Sequence, residues 1–286
     1  MESNLLNNEP IIRLSCFCGI FLIVSLWEIL APRRNLSISK RMRWLNNLGL
    51  VALNTIVLRV IFPASAVSMA IYADRNSWGL LNNIDLANWQ VVLLSIIGLD
   101  LAIYLQHVMF HALPNLWHLH KIHHGDRDFD VSTGLRFHPL EILLSMVIKI
   151  AAIVLLGTPV LAVVLFEILL NGTSMFNHGN ILLPQQLDRR LRWFLVTPDM
   201  HRIHHSIIEC ETNSNFGFNL PWWDYLFGTY RHNSRVSQEK MSIGLQEYQE
   251  NLQVQKLHWI LLLPFISTQD NYSIIKRDRS NTISQK

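Results

Sequence analysis

Three groups of histidine stand at spacings that suit metal coordination: His107-xxx-His111, His120-xx-His123-His124 and His201-xx-His204-His205. Residues three and four apart share a helix face, so each group is expected to project its imidazoles one way. A lone histidine on an apolar face is ordinarily a satisfied core residue, whereas eight at ligand spacing point to bound metal. Imidazole suits iron, copper, nickel and zinc alike, so ligand type does not choose the metal. Ligand number narrows the choice, because eight imidazoles exceed what one tetrahedral ion can use and two ions absorb them. HExxH is absent and no carboxylate lies inside the groups, which argues against a zinc peptidase.

Local punctuation predicts the helices that carry these groups. Pro114 should end the helix bearing His107 and His111, with Asn115 capping a short helix through His124. Gly125 then occupies the position where a helix end favours a left-handed residue. Thr197-Pro198-Asp199 reads as a helix start, with proline first and an acid in the first turn. Asp100 and Tyr104 share a helical stripe with His107 and His111. An ionisable residue so deep in an apolar segment needs a partner. Asp100 or Tyr104 is therefore expected to orient a ligand imidazole from another helix.

The chain that must position this chemistry is apolar. Of its 286 residues half are hydrophobic and 16% charged, with a mean hydropathy of +0.22. That balance is typical of a polytopic membrane protein. Five stretches, roughly 11–31, 46–73, 88–110, 139–157 and 158–177, approach the ~20 apolar residues a span needs. Gly157-Thr158-Pro159 joins the last two as a hairpin. The residues before the first stretch are acidic and polar and the basic ones follow it, so it reads as an anchor rather than a cleavable leader.

Arg33, Arg34, Lys40, Arg41 and Arg43 make the first link cytoplasmic by the positive-inside rule. Counting onward, His107, His111 and His178 fall on that same side, as does everything after the hairpin. The net charge of +3 gives no case for nucleic-acid binding. The three cysteines, Cys16, Cys18 and Cys210, make neither a disulfide framework nor an iron–sulfur ligand set. The expected fold is all-α: polytopic transmembrane helices with a helical cytoplasmic cap carrying the histidines. The chain divides into transmembrane helices (1–90), a catalytic region (91–235) and a cytoplasmic tail (236–286), weakly ordered after Asn271.

Beyond the three groups, the sequence carries Arg136-Phe137-His138-Pro139-Leu140-Glu141, Asn177-His178-Gly179-Asn180, Asn215-Phe216-Gly217, Trp223-Asp224 and Phe227-Gly228-Thr229. Over about 95–230 the pattern resembles the fatty acid hydroxylase and sterol desaturase superfamily of membrane di-iron oxidases. That resemblance implies His107, His111, His120, His123, His124, His201, His204 and His205 as metal ligands. It adds His178, and His138 as a further ligand or a partner of one. Glu141, one turn after His138, is a second candidate to hold a ligand ring. Lys149 and Glu167, on the two arms of the hairpin, are expected to pair with each other or, for Lys149, to snorkel.

The implied cofactors are two iron ions, which zinc could replace on isolation, together with dioxygen. The implied reaction removes a hydrogen from a sterol, fatty acyl or related lipid, ending in an alcohol or an alkene. No dinucleotide fingerprint or cluster-forming cysteine set is visible, so an external electron donor such as a ferredoxin or a cytochrome b5 is required. A bacterial inner membrane is favoured over the endoplasmic reticulum. The rival reading is a histidine-rich membrane metal-binding or transport protein, which would place its ligands at mid-membrane along a path.

Overall fold

In a computed structural model the described residues, 2–62 and 65–266, are 68% helical and form no strand beyond isolated bridges. Five helical segments are long and apolar enough to cross a membrane: Asn8–Leu30, Lys40–Arg75, Asn88–Ala112, Pro139–Leu156 and Val160–Asn177. The first lies in α1 (Glu2–Leu30). The second, expected as one span, is two helices, α2 (Lys40–Ile61) and α3 (Ala66–Arg75). The break has a local cause, since the residue before a proline is pushed out of the helical region and Phe62, at φ −114 and ψ 80, precedes Pro63. Ser65 restarts the helix by accepting a hydrogen bond from the Ser68 N–H at 3.2 Å.

Next come α4 (Asn88–Ala112) and the short α5 (Pro114–His124), then the hairpin of α6 (Pro139–Leu156) and α7 (Val160–Asn177). Gly157 closes α6 at φ +73, and a Cβ there would meet the Trp78 carbonyl at 2.9 Å, so glycine answers both demands. Helix α7 packs on α1, α3 and α4, and α6 on α2, α3 and α4. Leu99, Ile103, Ile153, Val163 and Phe166 fill the space between these helices.

Beyond the spans, α8 (Gln185–Leu191), α9 (Pro198–His204), α10 (Glu209–Thr212) and α11 (Trp222–Phe227) are short helices, of which α9 packs on α7 and α10 on α9. Residues 236–266 do not trail away. Leu245, Tyr248 and Val254, with Ile260 and Leu263 of α12 (Leu257–Ile266), form a buried cluster with Trp117 and Ile122 of α5 and Leu50 of α2. The residues after Asn271 lie outside the described part of the chain.

Two details of the expected punctuation differ. Pro114 begins α5 instead of ending α4, because a first-turn proline loses no hydrogen bond, and Leu113 rather than Asn115 occupies the cap. Gly125 is right-handed, φ −73 and ψ −2, because its N–H turns back to the Ile122 carbonyl at 3.2 Å.

The segment between α5 and α6 is held by buried ions. Arg43 of α2 donates to Asp126 at 2.7 Å and to Asp130 at 2.5 Å, and all three side chains are fully buried. Arg136 reaches back to the Ile122 carbonyl at 2.8 Å and to the Val254 carbonyl at 2.6 Å. Removing one member of such a set strands the other charges, at about 3–5 kcal/mol. Arg43→Leu is therefore expected to lose most folded protein in detergent, measured by thermal unfolding. Arg41→Gln, at an exposed neighbouring site, should unfold like the parent chain.

Candidate metal centre

Four parts of the fold deliver histidines to one place. Helix α4 brings His107 and His111, α5 brings His120, His123 and His124, the end of α7 brings His178, and α9 with its cap brings His201, His204 and His205. Pro198 opens α9 and the Thr197 hydroxyl accepts from the Met200 N–H at 3.3 Å, as the Thr-Pro-Asp sequence predicts. The nine rings sort into two groups that could each hold a metal ion: His107, His111, His120, His124 and His204, and then His123, His178, His201 and His205. Within each group the donor atoms lie within 4.8 Å of one another, and every residue is buried.

The partition corrects the expectation that each HxxHH group faces one way. Adjacent residues on a helix point about 100° apart. His120 and His124 therefore join the first group while His123 joins the second, and His201 and His205 join the second while His204 joins the first. Each HxxHH group is shared between both sites.

The ring orientations fit a metal. His107 donates from Nδ1 to the Phe216 carbonyl at 2.7 Å, His204 to the Ser214 carbonyl at 2.8 Å, and His178 to the Ser174 carbonyl at 2.7 Å. His120 donates to the Glu141 carboxylate at 2.7 Å, and His111 Nδ1 lies 3.3 Å from Asn213 Oδ1. With Nδ1 carrying the proton, Nε2 of each of these five neutral rings carries a lone pair. Those lone pairs face one another: Nε2 of His107 is 3.1 Å from Nε2 of His120 and 3.1 Å from that of His204. In the second group Nε2 of His178 lies 3.0 Å from His123, 3.1 Å from His201 and 3.2 Å from His205. Donors at right angles around an ion roughly 2.1 Å away stand about 3.0 Å apart, so these separations suit a shared cation.

Protonation does not offer an alternative. Burial holds His120 and His178 down to about 3. Burial and neighbouring imidazoles hold His123, His124, His201, His204 and His205 well below the ordinary 6.5. The rings are neutral donors at physiological pH.

The remaining candidates divide. Glu141 lies where the sequence suggested, on a ring of the converging set, that of His120. His138 is not brought to either group: its Nδ1 accepts from the Leu140 N–H at 3.2 Å, capping α6, and its Nε2 lies 3.3 Å from the Leu261 carbonyl. The start of α6 turns it toward α12 and away from the other rings. Asp100 touches no imidazole. It accepts from the Asn219 amide at 2.7 Å and the Trp223 indole at 2.8 Å, anchoring the 219–223 segment. Tyr104 shares a hydrogen bond with Thr229 at 2.8 Å.

Both residues act at one remove, through residues that spacing alone did not single out. Asp224 accepts from the N–H groups of Phe216 and Gly217 at 2.8 Å each and from the Thr229 hydroxyl at 2.6 Å. It thereby aims the Phe216 carbonyl at His107, and burial raises its own pKa to about 6. Asn215, left-handed at φ +53, bonds to the Met200 and Arg231 carbonyls at 3.0 Å each.

Elemental analysis of purified protein should show His204→Ala stripped of metal and His138→Ala still loaded. Glu141→Gln should weaken metal affinity by about 10–100-fold, as loss of such a ring partner does. Equal metal loss in His138→Ala would contradict the two-group partition.

The geometry agrees with sequence comparison. The family described as Fatty acid hydroxylase matches residues 92–229. Ornithine lipid hydroxylase OlsE of Rhizobium tropici is 30% identical over 162 residues, covering 54% of this chain and 47% of that protein. Alkylglycerol monooxygenase of Xenopus tropicalis is 30% identical over 173 residues, 59% of this chain and 36% of its own. The human alkylglycerol monooxygenase is 31% identical over 150 residues, 52% of this chain and 32% of its own. The chain thus spans about a third to a half of the length of these relatives. No solved structure matches it at a significant level. The segment that holds all nine converging histidines is thus the one that is similar to the fatty acid hydroxylase family.

Proposed function

We propose that the protein is a multi-pass membrane oxidase that holds two iron ions and uses dioxygen to hydroxylate a C–H bond of a lipid. The observation that carries this reading is the set of buried Nε2 atoms of neutral imidazoles aimed at one another about 3.1 Å apart, an arrangement that a cation between them would stabilise. Two groups of donors, five and four in number, favour two ions over one. The first ion would be held by His107, His111, His120, His124 and His204, the second by His123, His178, His201 and His205. Ferrous ions with positions left open would supply activation of dioxygen and abstraction of hydrogen from carbon. The printed activities of the relatives, a hydroxylase and monooxygenases, support hydroxylation over desaturation.

The chain's own residues orient the donors and exclude water. Glu141, Phe216, Ser174 and Ser214 fix ring tautomers from outside. Phe129, Phe137, Phe216 and Phe218 pack against the rings and close the site. His107 and His120 alone of the nine line a cavity of about 420 Å³ that continues between α1, α2, α4, α6 and α7. A lipid entering from the bilayer would meet the site through that wall. Two electrons per turnover would come from a separate donor of the ferredoxin or cytochrome b5 kind, docking on the side of the short helices, which the basic first link assigns to the cytoplasm. A bacterial inner membrane is the favoured location.

Membranes containing the protein, a reducing system and native lipids are expected to consume oxygen and to place ¹⁸O from labelled dioxygen into a lipid, read by mass spectrometry. Dialysis against a chelator should abolish both signals, and ferrous iron, not zinc, should restore them. Lipids that stay unlabelled with iron bound would overturn the assignment.

A further inference from the structure

The cavity beside His107 and His120 has a largely apolar wall into which particular polar side chains are set. Every polar side chain of α6, namely Glu141, Ser145 and Lys149, lines it. They stand four residues apart, hence on one face of an otherwise apolar helix. Glu167, Asn171 and Ser174 of α7 line it as well, as do Asn54 of α2 and Gln106 of α4. Polar groups inside a membrane span are costly unless they face a partner or a polar cavity.

The two ends of this polar lining differ. At the end away from the histidines, Lys149 and Arg13 both pair with Glu167, and Glu9 is a second partner of Arg13. Nearer the histidines the lining is short of donors. Glu141 Oε2 and Asn54 Oδ1 are buried and accept no hydrogen bond among the described residues. Glu141 is 3% exposed and Asn54 7%. The Asn54 amide nitrogen is committed to the Phe137 carbonyl at 2.9 Å, which leaves its oxygen as the free atom. The other Glu141 oxygen is taken by His120.

We propose that this end of the cavity binds the polar end of the lipid, with hydroxyl or amide N–H donors beside the carbon that is oxidised, rather than a bare hydrocarbon chain. The inference rests on the lipid-oxidation reading and narrows its substrate. An alkyl chain here would leave these two oxygens buried and unpaired, whereas a hydroxyl-bearing end pairs them. Each such bond is worth about tenfold in affinity. Glu141 then has two tasks, one oxygen holding the His120 ring and the other facing the substrate.

The test is equilibrium binding of 1,2-hexadecanediol and of its di-O-methyl ether to purified protein, free of oxygen and reductant so that nothing turns over. The diol is expected to bind about tenfold or more tightly than the ether. Asn54→Leu should cut the preference to about threefold or less. Asn54→Val provides a second, smaller apolar variant at the same acceptor should Asn54→Leu fail to fold. Equal affinities in the parent protein, no binding of either probe, or an unchanged preference in a folded variant overturns the inference. These outcomes leave lipid oxidation standing, because the assay consumes no oxygen. A preference that persists while no lipid takes up ¹⁸O sinks the oxidation reading and spares the binding site.

Discussion

Neutral imidazoles do not attract one another through their lone pairs. Nε2 of His107, 3.1 Å from Nε2 of both His120 and His204, with all three Nδ1 protons already donated elsewhere, is a repulsive arrangement without positive charge between the rings. The protein holds it by gripping the rings from behind. Every outward acceptor is itself anchored: Glu141 on α6, the Ser174 carbonyl on α7, and the Ser214 and Phe216 carbonyls on the loop that Asp224 and Asn215 organise. The placement of these rings is therefore a property of the loops around them as much as of the helices that carry them.

Those loops are made rigid by buried charge. Arg43 against Asp126 and Asp130 fixes the segment after α5, and Arg202 beside Asp199 and the Gly179 carbonyl ties α9 to the end of α7. A buried ion pair is a poor source of stability, since desolvation offsets most of the attraction. Its service here is positional. It removes the freedom of two segments whose histidines must meet to within tenths of an ångström.

The same logic governs the spans. Apolar helices packed only on one another would leave no polar group near the cavity, yet α6 and α7 carry polar stripes facing it. Asp100 shows the alternative use of a buried carboxylate: it joins α4 to the 219–223 segment and so helps place the Phe216 carbonyl without touching a histidine. Lys149 and Glu167 pair across the hairpin as expected, and Arg13 of α1 joins them.

The sequence by itself determined the chemistry and much of the frame. Histidines in three spaced groups mark a candidate metal site, apolar runs of span length mark candidate membrane helices, and Thr197-Pro198 and Gly157 specify helix ends, because each signal depends on neighbours within a turn or two. Tertiary structure decided the rest. Which of two adjacent histidines serves which group, the exclusion of His138, the break in α2–α3 and the packing of 236–266 against α5 all depend on where distant segments meet. Asp126 and Asp130 follow the second group openly in the sequence, but their partner Arg43 stands more than eighty residues earlier. Before folding, Arg43 reads only as one of several basic residues, because spacing along a chain carries no record of contacts made through space.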